Sequence, residues 1–199
     1  MRIGILGGTF DPPHWGHWHL AEAARDQLTL DKILWVPTAS PPHKQQQPLS
    51  PIADRLAMVE AMVAASPQPG HEISRVDIDR PGPHWAADTV ACLAQQFPGQ
   101  PLVFLMGSDS LRDLPTWGRP LEFLAHCSLG VLRRPNETID LAKLERRLPG
   151  VTAKVEFIQA TPLEIASHTL RQRVREGKSI KDLVPEAVAQ IIQDRHLYQ

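Results

Sequence analysis

Two histidines near the start of the sequence, His14 and His17, are the residues best suited to chemistry on a phosphorylated ligand. They follow a pair of adjacent glycines, Gly7 and Gly8. Paired glycines let the main chain approach an anion closely, because they carry no side chain that would stand in the way. Imidazole N–H groups can donate hydrogen bonds to oxygens on which negative charge develops. We therefore expect this segment to bind phosphate groups and to stabilise charge on them.

The elements that must position these residues are a strand before them and a helix after them. The apolar run Ile3 to Leu6 is typical of a buried strand. His14 leads into a helical pattern whose apolar face carries Leu20, Ala23, Ala24 and Leu28. The first N–H groups of a helix have no partner within it and point at bound anions. A strand, a glycine turn and a helix start, in this order, predict a phosphate site.

Composition limits the class of protein. The 199 residues are 42% hydrophobic and 22% charged, which is typical of one soluble globular domain. A net charge of −1 argues against sequence-independent binding to nucleic acid, and no apolar run is long enough for a membrane span. Met1-Arg2 leads directly into the first predicted strand, so we expect no secretion signal and a cytoplasmic protein. Cys92 and Cys127 have no metal-like spacing, and we expect reduced thiols that fill core space.

Strand and helix patterns alternate along the chain. Apolar or alternating patterns predict further strands at 33–36, 73–78, 102–106, 128–132 and 155–158. Helical periodicity predicts helices at 53–65, 88–97, 169–175 and 185–194. Such alternation predicts an α/β fold with a doubly wound parallel sheet, in one domain spanning 1–199. Residues from about 160 to 199 are expected to form a small helical subdomain packed on the sheet.

Ligands of doubly wound sheets bind beyond the carboxyl ends of the strands, where more candidates stand. Lys44, on a proline-stiffened loop, could bring a positive charge to a polyphosphate. Gly107 ends a predicted strand, and the carboxylate of Asp109 just beyond it could accept both hydroxyls of a ribose. Ser108 or Asp109 could also cap a following helix, and the two roles are compatible. Arg134, which follows another strand beside Arg133, could bind phosphate or be ordinary surface charge.

Trp117 lies in the polar turn Pro115-Thr116-Trp117. A tryptophan is an unusual core residue in such a turn, because its indole N–H needs a hydrogen-bond partner. Its flat ring could instead form a platform for an aromatic ligand.

The N-terminal pattern resembles a motif of the nucleotidylyltransferase superfamily, GGxFDPxHxGH. The matching residues are Gly7-Gly8-Thr9-Phe10-Asp11-Pro12 and His14-x-Gly16-His17. The resemblance implies a Rossmann-like nucleotidyltransferase fold. It also implies that Gly7, Gly8, Thr9, Phe10, Gly107, Asp109 and Arg134 bind ATP, and that His14, His17 and Lys44 act on the phosphates.

A second motif of this superfamily, similar to ISSTxIR, matches Ile165 to Arg171. In one alignment Ser167 replaces the second serine and Arg171 the arginine, which implies that both meet the ATP phosphates. A gap of one residue would instead align Ser167-His168-Thr169, so the register stays open.

The turn at Trp117 resembles that of the bacterial nicotinate-nucleotide adenylyltransferases, whose tryptophan stacks on a pyridine ring. These enzymes usually carry P-S-Y-T-x-D-T where this chain has residues 83–89. Here His84 replaces the serine, Trp85 the tyrosine and Ala86 the threonine. The resemblance implies that Trp117, Trp85, Ala86 and Lys44 bind the pyridine nucleotide. The hydroxyl lost at Ala86 leaves the choice between its acid and amide forms open.

The resemblance covers the whole chain and implies an enzyme of NAD biosynthesis. It would transfer the AMP moiety of ATP to nicotinate mononucleotide by direct in-line attack, with no covalent enzyme intermediate. The products would be nicotinate adenine dinucleotide and pyrophosphate. Mg²⁺ would be bound through the ATP phosphates, without a metal site on the protein, and a homo-oligomer is compatible with the sequence. The alternatives are the amide mononucleotide or phosphopantetheine as acceptor, and a regulator that binds nucleotides without turnover.

Overall fold

A parallel sheet forms the centre of the computed structural model, which describes residues 1–41, 48–65, 68–133, 139–161 and 163–199. Within these ranges the strands are β1 (Ile3–Gly8), β2 (Lys32–Pro37), β3 (His71–Ile73), β4 (Leu102–Gly107), β5 (Ser128–Leu132) and β6 (Val155–Ile158). Their order is β3-β2-β1-β4-β5-β6, and all neighbouring pairs are parallel. The chain thus builds outward from β1 to β3 and then returns to the other side of β1. The switch point lies between β1 and β4.

Helices cover both faces of the sheet, as predicted for a doubly wound fold. They are α1 (Trp15–Gln27), α2 (Ile52–Ala64), α3 (Ala86–Gln96), α4 (Ser108–Asp113), α5 (Pro120–His126), α6 (Leu141–Arg147), α7 (Ser167–Arg175) and α8 (Glu186–Asp194). The apolar side chains of α1, α2, α7 and α8 form one buried cluster with the sheet, and those of α3 to α6 form the other. The α/β prediction is confirmed.

The first strand places the glycine turn because it is buried on both faces. Ile3 and Ile5 belong to one apolar cluster and Leu6 to the other. A Cβ placed on Gly4 would lie 2.6 Å from the end of the Ile33 side chain, so a larger residue there would displace that side chain. Pairing with β2 continues to the end of β1, where Gly8 lies opposite Pro37.

The last helices dock onto the face that carries α1. Leu170 of α7 and Val188 and Ile192 of α8 lie in the same apolar cluster as the buried side chains of α1 and α2. The Trp15 N–H at the start of α1 donates to the Leu183 carbonyl at 3.0 Å. This packing brings α7 beside the loop that follows β1. That residues from about 160 onward form a separate helical subdomain stays a prediction.

The predicted strand at 73–78 is wrong beyond its first residue. After β3 the chain turns, because the N–H groups of Ile78 and Asp79 both donate to the Arg75 carbonyl, at 2.7 and 2.9 Å. Asp77 is buried and accepts from the Thr89 hydroxyl at 2.7 Å, which holds the turn against α3. The alternation of apolar and polar residues at 73–78, which predicted a strand, thus belongs to a turn that buries one polar side chain.

Two smaller predictions also need correction. The helices expected at 88–97 and 169–175 begin at Ala86 and Ser167, because pattern alone locates helix ends poorly. Cys127 fills core space as expected, and burial raises the pKa of its thiol to about 12. Cys92 is only half-buried and does not fill the core.

Candidate active site

A cavity of about 1400 Å³ opens at the carboxyl ends of β1 and β4. It brings together the predicted residues that lie in the described part of the chain, which are Gly7, Gly8, Thr9, Phe10, His14, His17, Trp85, Ala86, Gly107, Asp109, Trp117, Ser167 and Arg171. Lys44 and Arg134 were predicted as well but lie outside the described residues. The cavity has a polar end around the histidines and an aromatic end around the tryptophans.

The two histidines form a pair at the first turn of α1. His14 is the N-cap residue, and His17 follows in the first turn, where its side chain faces the main-chain N–H of His14. Their ring centres are 3.8 Å apart, and the His14 main-chain N–H donates to Nδ1 of His17 at 3.2 Å. Because Nδ1 accepts this bond, a neutral His17 carries its proton on Nε2. His17 is therefore prepared to donate from Nε2.

Burial determines the charge of His14. The side chain is 6% exposed, and desolvation lowers its pKa to about 4. His14 is therefore neutral at pH 7 and acts as a hydrogen-bonding group rather than as a cation. A Cβ placed on Gly16 would lie 2.9 Å from Nδ1 of His14, so a larger residue at position 16 would displace this ring.

The Phe10 ring packs between the glycine turn and His17 of the histidine pair. Phe10 has a left-handed main chain with a φ of 48°, and its ring is buried edge-on against His17 with centres 5.1 Å apart. A Cβ placed on Gly8 would lie 3.3 Å from this ring. Since the ring is buried, any contact of Phe10 with a nucleotide must come from its main chain.

Helix α7 lies against the same loop. The Ser167 hydroxyl donates to the Pro12 carbonyl at 2.9 Å, and Nη1 of Arg171 donates to the Asp11 carbonyl at 2.7 Å. A guanidinium has five N–H donors, so this bond leaves others that can bind an anion. Ser167 and Arg171 thus both contact the loop that leads to the histidine pair, and the register of the motif stays a prediction.

The aromatic end is built by packing. Trp117 is half-buried, and its ring packs against Phe104 and Phe123 with centres 6.0 and 5.4 Å away. The Trp85 ring lies directly on Gly118, where any Cβ would overlap it. Both tryptophans line the cavity.

The start of α3 completes the aromatic end. Trp85 is the N-cap residue of α3, and no side chain caps the helix. The first N–H groups of α3, beginning at Ala86, are therefore not capped by the side chain of the N-cap residue and are suited to bind an anion. Ala86 lines the cavity, as both tryptophans do.

Asp109 lies in the first turn of α4. The N-cap residue of α4 is Gly107, so the prediction that Ser108 or Asp109 caps this helix is wrong. Ser108 is buried, whereas Asp109 lines the cavity.

Comparison with known proteins assigns the family. The profile of the cytidylyltransferase-like family matches residues 5–173. A probable nicotinate-nucleotide adenylyltransferase of Thermomicrobium roseum is 41% identical, over 100% of this chain and 92% of that protein. One from Gloeobacter violaceus is 39% identical, over 99% of this chain and 96% of that protein. The chain belongs to the cytidylyltransferase-like family, among its nicotinate-nucleotide adenylyltransferases.

A solved structure has the same fold as this family member. The Plasmodium falciparum nicotinic acid mononucleotide adenylyltransferase complexed with NaAD superimposes with a TM-score of 0.82. The superposition covers 99% of this chain and 97% of that one, at 18% sequence identity. The resemblance seen in the sequence motifs is confirmed, and so is the nucleotidyltransferase fold.

Sequence reasoning missed two residues that hold the polar end, Arg55 and Tyr198. Arg55 lies on the buried face of α2 with Met58, Val59 and Met62, so an arginine at an apolar helical position was a signal. No local pattern indicates the bond from Tyr198 to Asp11, because the two residues lie at opposite ends of the sequence.

Two further features concern metals and membranes. No group of three or more His, Cys, Asp or Glu side chains that could hold a metal ion occurs in the described residues. In the same part of the chain, no helix has both the length and the apolar character needed to cross a membrane.

Proposed function

We propose that this chain transfers the adenylyl group of ATP to nicotinate mononucleotide, forming nicotinate adenine dinucleotide and pyrophosphate in NAD biosynthesis. The observation that carries the proposal is the single cavity that joins the histidine pair at the start of α1 to the two tryptophans near α3. One end suits the phosphates of ATP and the other suits a pyridine ring. The names of the relatives support this choice of substrates.

The proposed reaction is a direct displacement at phosphorus. A phosphate oxygen of nicotinate mononucleotide attacks the α-phosphorus of ATP, and the bond to the bridging oxygen of pyrophosphate breaks in line with the attack. His17 donates from Nε2, and the neutral His14 donates beside it, to the oxygens that gain negative charge. No side chain forms a covalent bond, so the protein acts by positioning two anions and stabilising charge.

The ATP end is completed by groups from the end of β1, from α4 and from α7. Gly7, Gly8 and Thr9 offer main-chain N–H groups to the phosphates, and Ser167 and Arg171 bind the departing pyrophosphate from α7. Asp109 accepts the ribose hydroxyls of ATP. Lys44 and Arg134 are proposed from the sequence to add positive charge.

The acceptor end recognises the pyridine ring and its carboxylate. Trp117 stacks on the ring, with Trp85 beside it. The first N–H groups of α3, at and after Ala86, donate to the carboxylate, because a helix start favours an anion. This main-chain contact needs no hydroxyl at position 86, so the alanine there is compatible with preference for the acid.

Mg²⁺ enters as part of the substrate Mg·ATP. Magnesium usually keeps several waters and binds through substrate phosphates, and the cavity offers mainly N–H donors for those phosphates. We place the reaction in the cytoplasm, on two small substrates and without nucleic acid. Assembly into a homo-oligomer stays a prediction.

The test is pyrophosphate release from Mg·ATP, with nicotinate mononucleotide and nicotinamide mononucleotide as parallel acceptors. Strong preference for the acid is the expected result, and incubation without acceptor is the control. Comparable rates would show that the start of α3 does not select the carboxylate. No release with either compound would refute the proposed function.

A further inference from the structure

A buried arginine contacts three chain segments next to the polar end of the cavity. Arg55 of α2 is 1% exposed, and its guanidinium donates to four main-chain carbonyls. The acceptors are those of Ser50 at 2.9 Å, Thr9 at 2.9 Å, Thr38 at 2.7 Å and Ala39 at 2.9 Å. They belong to the loops after β1 and β2 and to the segment before α2. One side chain therefore ties these three segments together.

Asp11 holds the other side of the loop after β1. Its side chain is 1% exposed, and one carboxylate oxygen accepts from the Ser50 N–H at 3.2 Å. The other oxygen accepts from the Tyr198 hydroxyl at 2.6 Å. Tyr198 follows α8, so its hydroxyl brings the segment after the last helix to the loop that carries Thr9.

Between these two anchors the main chain is strained. Phe10 has a φ in the left-handed region, which a bulky residue adopts only when its surroundings impose it. Thr9 before it is held by Arg55, and Asp11 after it is held by Tyr198. The Phe10 ring in turn packs on His17. A shift of Asp11 would therefore reach the catalytic histidine through Phe10.

The charges in the network keep its hydrogen bonds in place. Burial, and after it the nearby Asp11, raise the pKa of Tyr198 above its ordinary value, so the hydroxyl keeps its proton. Burial lowers the pKa of Arg55, while Asp11 opposes that shift. A guanidinium titrates so high that Arg55 stays charged beside Asp11.

We propose that Tyr198 is a positioning residue: through Asp11 it fixes the Thr9–Asp11 loop against the pull of the strained Phe10, and turnover depends on its hydroxyl. The inference rests on the proposed function for the reaction it affects. Tyr198 also lines the cavity, but its hydroxyl is bonded to Asp11, and the proposed role is to position the loop rather than to contact substrate. Displacement of a catalytic loop by about 1 Å can cost about a hundredfold in rate, so a smaller shift after loss of one bond costs about tenfold.

The test is Tyr198→Phe, which removes only the hydroxyl and keeps the ring packed beside α2. We expect kcat to fall about tenfold and the KM for ATP to rise severalfold, while the KM for the pyridine nucleotide stays unchanged. Gln199→Ala is the matched control, because it alters the exposed neighbour and leaves Asp11 its partner. Unchanged kcat and ATP binding in Tyr198→Phe, at a temperature well below its Tm, would overturn the proposal even if the Tm fell.

Two measurements keep this test separate from that of the proposed function. ATP binding can be measured by calorimetry without any acceptor. Weaker ATP binding by Tyr198→Phe than by Gln199→Ala is expected, and this result does not depend on which acceptor the enzyme uses. Tyr198 is the only tyrosine of the sequence, so ultraviolet absorbance during an alkaline titration of the wild-type protein follows its hydroxyl alone. Ionisation well above the ordinary value near pH 10 is expected, and ionisation near 10 would contradict the buried bond to Asp11.

Discussion

The two ends of the cavity are held in different ways. At the polar end, hydrogen bonds from Arg55, Tyr198, Ser167 and Arg171 fix the loop after β1, with distances from 2.6 to 2.9 Å. At the aromatic end, ring packing places the tryptophans, with Trp117 against two phenylalanines and Trp85 on a glycine. Directional bonds fix donors precisely, as chemistry at phosphorus requires. Packing forms a flat slot, as binding a ring requires.

This difference separates catalysis from recognition. Changes at the polar end are expected to act on kcat, because in the proposed mechanism the donors there contact oxygens whose charge grows in the transition state. Changes at the aromatic end are expected to act on the KM for the pyridine nucleotide, because stacking is the same before and during the reaction. Each variant described next tests whether effects on kcat and effects on the KM for the pyridine nucleotide separate in this way.

The largest effect is expected for His17→Ala. Loss of one donor to a developing oxyanion costs about 2.7–4 kcal/mol, so kcat should fall about a hundredfold to a thousandfold with little change in KM. Steady-state kinetics with Mg·ATP and nicotinate mononucleotide measure it. His19→Ala, on the same helix but outside the cavity lining, is the control. Turnover near the wild-type rate in a folded His17→Ala would remove His17 from the mechanism.

The next effect concerns the stability of the polar end. The pKa of His14 is lowered to about 4 in the folded protein, below its ordinary 6.5, so the unfolded chain binds this proton first as the pH falls. This group therefore leaves the free energy of unfolding at its full value above pH 6.5. It lowers that free energy by about 3 kcal/mol as the pH falls from 6.5 to 4.

Denaturant unfolding of wild type and His14→Gln at several pH values tests this. The wild type should lose more free energy of unfolding than the variant between pH 6.5 and 4. The pKa of His71 is also lowered by burial, but His71 is present in both proteins, so the difference isolates His14. Parallel curves would show that His14 is not buried in its neutral form.

Trp117→Ala should raise the KM for nicotinate mononucleotide about tenfold, because stacking of a ring on an aromatic side chain contributes on the order of 1–3 kcal/mol. The KM for ATP should change little. Initial rates at varied concentrations of each substrate separate the two. An equal loss for ATP would argue against a pyridine slot at Trp117.

The smallest effect is expected for Gly118→Ala. Its methyl group would push the Trp85 ring off Gly118 and narrow the slot, and we expect a change of about threefold in the KM for the pyridine nucleotide, since one methyl displaces a half-exposed ring. Leu121→Ala, at an exposed position nearby on α5, is the control. No difference between the two variants would show that Trp85 does not shape the slot.

Much of the fold and of the cavity could be predicted from the sequence. Alternating apolar runs and helical patterns are local, and they placed β1, β4 and β5 and the order of the strands correctly. They did not predict the short helices α5 and α6, which lie between β4 and β5 and between β5 and β6. Since ligands of parallel sheets bind at strand ends, residues that follow Gly8 and Gly107 were expected to meet, and they line one cavity. What these residues contact in the reaction stays a prediction.

The rest depends on contacts between distant residues, which no local pattern contains. The bond between Tyr198 and Asp11 and the four carbonyls around Arg55 exist only after the sheet and α8 have formed. The close approach of Trp85 to Gly118 likewise arises from the packing of α3 against α5. The alternation at 73–78 misled because a turn that buries Asp77 has the same pattern as a short edge strand.

The most direct test of the division between the two ends is binding of nicotinate mononucleotide to His17→Ala, measured by calorimetry beside the wild type and Trp117→Ala. The account predicts that His17→Ala binds the mononucleotide as tightly as the wild type does although it barely turns it over, while Trp117→Ala binds it about tenfold more weakly. Equal weakening in both variants, or no binding to the wild type, would contradict it.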